Sequence, residues 1–136
     1  MRCLLVVPVA LTLFAFAPGA VAEIWDCDLA EQGTRHGYVP ERTTLQIFDD
    51  GSGILVSDEI TGQVSDRPIL GRIASQSGPR VSLHWEVYGL KSATRQYLPK
   101  VMYRAGLRRD TGGIAVLVQA AGFSEIFRGA GRCERR

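Results

Sequence analysis

Few side chains in this chain could begin a chemical step, and the two histidines come first. His84 stands two residues before Glu86, so on a strand both side chains point to one face. A His–Glu pair on one face can pass a proton. His36 lies in a glycine-flanked stretch beside Tyr38. A metal would need three or four imidazole, thiolate or carboxylate ligands, and neither histidine has a third partner close in sequence. The plainer readings are a solvated strand face for His84 and an ordinary loop position for His36. No metal site and no cofactor are expected.

Carboxylates and hydroxyls add little. Asp49/Asp50 and Asp58/Glu59 are sequence neighbours, so on a strand they point to opposite faces and make poor acid–base pairs. The run Asp49-Asp50-Gly51-Ser52-Gly53 lacks the spacing and terminal Glu of a calcium loop and reads as a turn. There is no nucleophile elbow, no zinc-protease helix motif and no phosphate-cradling glycine loop. The expectation is a non-catalytic protein, with an enzyme using His84 and Glu86 as an alternative.

Thiols set the compartment. Met1-Arg2, the apolar run from Cys3 to Ala17 and the small residues Ala20 and Ala22 read as a signal peptide over residues 1–22. The run is shorter than the roughly 20 residues that span a bilayer, so no membrane span is expected. That predicts a periplasmic protein, with the extracellular medium as the alternative. Two Lys against 14 Arg, and no Asn, fit a GC-rich bacterial genome. Cys3 leaves with the signal. Cys27 and Cys133 remain, far apart and without a C-x-x-C motif, so a structural disulfide is expected.

The elements that must position these groups read as strands throughout. Expected strands cover residues 23–29, 43–48, 54–57, 69–74, 81–88, 101–108, 114–119 and 122–128. The clearest alternation places Val81, Leu83, Trp85 and Val87 on one face, with Ser82, His84, Glu86 and Tyr88 on the other. A helical turn is expected only over residues 92–98. Residues 23–136 then form a single all-β domain, a small antiparallel up-and-down barrel of about eight strands, with a β-sandwich as the alternative. A disulfide from end to end brings the first and last strands together, as closure requires. Trp25, Leu45, Ile47, Leu83, Trp85, Phe123 and Phe127 are expected to fill the interior.

Charge is divided unevenly. Residues 23–66 carry ten acidic and two basic side chains, whereas residues 67–136 carry four acidic and thirteen basic. Two readings follow. Arg104, Arg108, Arg109, Arg128, Arg132, Arg135 and Arg136 form a cationic surface for an anionic partner, or the halves lie together and neutralise near Asp26 and Asp28. A net charge near +1 after signal removal, with no recognition motif, argues against nucleic acid. The connection over residues 89–100 is the expected binding element, with Lys91, Arg95, Tyr97, Lys100 and nearby Arg104 as candidate contacts.

Trp25-Asp26-Cys27, the eight short strands and Gly131-Arg132-Cys133 resemble the bacterial periplasmic lysozyme-inhibitor barrels in architecture, at the two ends only. The inhibitory Ser/Gly/Tyr loop of that family has no counterpart here, and a basic half suits a cationic lysozyme poorly. The expectation is an exported binding module for a protein or an anionic cell-envelope component. A carrier of a small apolar ligand in the barrel interior is the first alternative.

Overall fold

In a computed structural model, which describes residues 21–136 except Ala93, eight strands close into one antiparallel barrel. They are β1 (Ala22–Glu31), β2 (Arg42–Phe48), β3 (Ile54–Asp58), β4 (Ile69–Ser77), β5 (Arg80–Lys91), β6 (Tyr97–Arg108), β7 (Gly113–Ala120) and β8 (Phe127–Arg135). Each pairs with its sequence neighbour, and β1 pairs with β8. The sandwich alternative is therefore set aside. Apart from Val21 and Ala22, the expected signal segment lies outside the described residues. Among those residues, no helix is long and apolar enough to cross a membrane.

Closure depends on the β1–β8 seam. Cys27 and Cys133 stand directly opposite in register and are joined by the disulfide. Next to it, Gly131 packs so tightly that a Cβ would lie 1.8 Å from the Asp28 carbonyl oxygen. A Cβ on Gly129 would lie 2.5 Å from Val39 Cγ1. These glycines look like turn composition in sequence, which is why the alternation alone ends the last strand at residue 128. The structure places that strand at Phe127–Arg135 instead of 122–128. Phe123 falls in the preceding loop and is 46% exposed, and Phe127 is only half-buried, so neither belongs to the inward set as expected.

Alternation sorts the rest. Val81, Leu83, Trp85 and Val87 point inward from β5, and Leu45, Ile47, Trp25, Leu107 and Val116 join them in one core. Trp85 stacks on Tyr103 with ring centroids 5.3 Å apart, and Tyr103 donates its hydroxyl to the Tyr38 carbonyl at 2.9 Å. These side chains occupy the barrel axis.

The β5–β6 connection is much shorter than expected. Both strands continue past an irregularity where Gly89 (φ +74°) lies opposite Pro99, and alternation shifts there in both, so that Val87 and Leu90, Leu98 and Val101 are all buried. A tight turn remains: Ser92 N–H donates to Gln96 O, Arg95 N–H donates to Ser92 O, and Arg95 adopts φ +62°. In place of the helical turn expected at residues 92–98, Tyr97 and Leu98 open β6, and no helix appears among the described residues of that stretch. A 3-10 turn appears instead at Thr61–Gln63, where the Asp58 carboxylate accepts from Ile60 N–H and Thr61 N–H. The four connections at that end span residues 32–41, 59–68, 92–96 and 121–126, whereas those at the other end are short hairpins.

Candidate functional site

Register places the basic side chains in rows across the outer face of β4 to β8. Arg72 is opposite His84, His84 opposite Arg104, Arg104 opposite Leu117 and Leu117 opposite Arg128. Two residues along each strand, Ser82, Gly106, Ala115 and Ala130 form a second row of small side chains. Beyond it Arg80 faces Arg108, and Arg132 follows Ala130 on β8. The outcome is a floor of small side chains flanked by Arg72, His84, Arg104 and Arg128 on one side and by Arg80, Arg108 and Arg132 on the other, with Arg108 paired to Asp110. An open concavity of about 640 Å³ sits on this face, with Arg72, His84, Arg104 and Arg128 at its margin.

Part of the charge imbalance is neutralised, as the second reading held. Arg136 holds Asp26 through two hydrogen bonds of 2.8 and 3.0 Å, and Arg109 reaches Glu23 at 2.7 Å. Asp28 is paired with Arg42 of β2 rather than with the last strand. Arg108 is taken by Asp110 at 2.9 Å, and Arg132 donates to the Thr111 carbonyl. Among the described residues, Arg72, Arg80, Arg104 and Arg128 have no carboxylate within ion-pair distance. These four arginines share one face. Arg104 and Arg128 were legible in sequence as part of a basic half, but Arg72 and Arg80 were missed. Their signal was an outward position on a strand, and only register shows that they complete the two banks.

His84 sits in the first row between Arg72 and Arg104. Arg72 Nη2 donates to His84 Nδ1 at 2.6 Å, which leaves the ring proton on Nε2. That Nε2–H is buried and has no acceptor. Desolvation, then the charges of Arg72 and Arg104, hold the His84 pKa below its usual value. Glu86 belongs to a different cluster. Tyr88 donates its hydroxyl to it and Lys100 lies 3.2 Å away, and these two keep it ionised below the usual carboxylate range. Each member of the expected His84–Glu86 pair is thus engaged with another group.

The five residues expected to bind separate into two places. Arg104 lies on the cationic face and Lys100 on the same side of β6, bound to Glu86. Lys91, Arg95 and Tyr97 crowd the hairpin tip, where Tyr97 is 61% exposed. His36 contributes to a different feature, a cleft of about 220 Å³ at the long-loop end, walled by His36, Tyr38, Phe123 and Phe127. The His36 and Tyr38 rings each lie 4.8 Å from Phe127. Among the described residues, no three His, Cys, Asp or Glu side chains come together as a metal site would require. Comparison of the chain with protein families, with curated proteins and with solved structures finds no match.

Proposed function

We propose that this protein is an exported, non-catalytic binding module whose outer β4–β8 face holds an anionic component of the cell envelope. The observation that supports this is the set of arginines, Arg72, Arg104 and Arg128, aligned across the sheet without carboxylate partners. Guanidinium groups match carboxylate and phosphate oxygens through paired hydrogen bonds. Their backbone positions on β4, β6 and β8 are fixed by the sheet, so their relative placement is set before a ligand arrives. The terminal disulfide suits an oxidising compartment, periplasmic or extracellular.

Elution from a sulfated-dextran column tests the reading with two variants of equal net charge. Arg104→Ala/Arg128→Ala is expected to elute at clearly lower salt than Lys91→Ala/Arg95→Ala. Identical elution of the two would remove the outer face as the site. A second reading, a carrier of a small apolar ligand, draws support from the aromatic cleft at the loop end rather than from the filled barrel axis.

A further inference from the structure

We propose that the floor between the two arginine banks seats a single chain of an acidic polysaccharide, laid across the strands. This rests on the reading of the outer face as an anion site and adds the class of its occupant. The floor crosses β5 to β8 at Ser82, Gly106, Ala115 and Ala130, and its small side chains let a ligand approach the sheet. Nothing lies within 4 Å of a Cβ built on Gly106, so the space above it is open.

Dimensions follow from sheet geometry. His84 and Arg80, Arg104 and Arg108, and Arg128 and Arg132 mark the two banks, each pair one turn of alternation beyond the small residue between them. Strands rise about 3.3 Å per residue, so the floor between the banks is wide enough for one sugar ring. Arg72, Arg104 and Arg128 recur on alternate strands, β4, β6 and β8. Neighbouring strands lie about 4.8 Å apart, which spaces these cations at two strand widths, so that they meet the carboxylates of every second sugar, those on one edge of an extended polyuronate. A slot of that shape takes one extended chain with acidic groups along its edges.

The chemistry of the walls selects among polyanions. No aromatic side chain lies on the floor, so a nucleic acid would lose the base stacking on which single-strand binding depends. The barrel is closed, so no free strand edge invites an acidic peptide to add by main-chain pairing. A sugar ring is amphipathic. Its C–H face can lie on Gly106 and Ala115, while its carboxylate meets the guanidinium groups of Arg104 and Arg128 in the adjoining row.

Titration calorimetry of the purified protein with a tetrameric polyuronate tests this, with the neutral methyl ester as control. Gly106→Leu and Ala115→Leu fill the floor and leave every cation in place. Each is expected to weaken polyuronate binding at least tenfold while melting within a few degrees of wild type. Wild-type affinity in both folded variants would overturn the seat, yet leave the wider reading standing if Arg104→Ala/Arg128→Ala still fails on sulfated dextran. Tighter binding of inorganic polyphosphate, an oligothymidylate or phosphatidylglycerol vesicles than of the uronate would overturn the class of ligand. No heat or shift with the uronate at low salt would overturn the proposal as well.

Discussion

His84 reports the electrostatics of the outer face from its place between Arg72 and Arg104. Burial and the cations Arg72 and Arg104 all disfavour a second proton on the ring. In Arg104→Ala the His84 pKa is expected to rise toward the ordinary histidine value, and a bound polyanion is expected to move it the same way. An NMR titration of the imidazole protons reads both. The sign for stability follows from linkage. A folded-state pKa below the unfolded one means that the contribution of His84 is present above the unfolded value and is lost as pH falls through the folded one. That window lies below about 6.5. Tyr103 offers a second residue-scale test, since its buried hydroxyl donates to the Tyr38 carbonyl. Tyr103→Phe is expected to lower stability by about 1 kcal/mol in urea unfolding. The outward direction of His84 was legible from alternation. Its partner Arg72 was not, because the two lie on different strands and meet only through β4–β5 register.

Glycines separate seams from floors at the scale of the strand. Gly131→Ala would drive a Cβ into the Asp28 carbonyl, so the β1–β8 pairing must shift. A loss of about 2 kcal/mol or more is expected, in the range of other steric insertions into packed sites. Gly106→Ala meets open space and should be close to neutral or slightly stabilising. Equal denaturation midpoints for the two variants would show that the seam is not tight. The same contrast explains why strand positions were read well in β5 and poorly in β8. A Val/Leu/Trp alternation declares an inward face, whereas Gly129-Ala130-Gly131 resembles a turn until its close approach to β1 and Val39 is seen. Likewise Pro99 and Gly89 read as loop residues. Placed opposite one another they form an irregularity within a continuing hairpin, and the expected binding loop shrinks to its tip.

Across the whole molecule, one covalent link joins the ends of a sheet that closes on itself. Cys27 and Cys133 are separated by 106 positions in sequence. Removing a link across so long a loop costs up to roughly 4.7 kcal/mol in the chain-entropy model. Cys27→Ala/Cys133→Ala is expected to unfold at much lower denaturant than the oxidised protein; an unchanged midpoint would show that strand pairing alone carries closure. Barrel and disulfide were legible because strand count, terminal thiols and a closed topology constrain one another. The cationic face was only half legible, because a basic half can neutralise or concentrate its charge depending on which strands meet. Here it does both: the β1–β8 seam pairs Asp26 with Arg136, while Arg72, Arg80, Arg104 and Arg128 have, among the described residues, no carboxylate within ion-pair distance. The most direct test of that face is an amide NMR titration of the labelled protein with the tetrameric uronate. Shifts are expected to trace Arg72, His84, Arg104, Gly106, Ala115 and Arg128 across neighbouring strands; shifts confined to the hairpin tip at Lys91, Arg95 and Tyr97 would contradict the account.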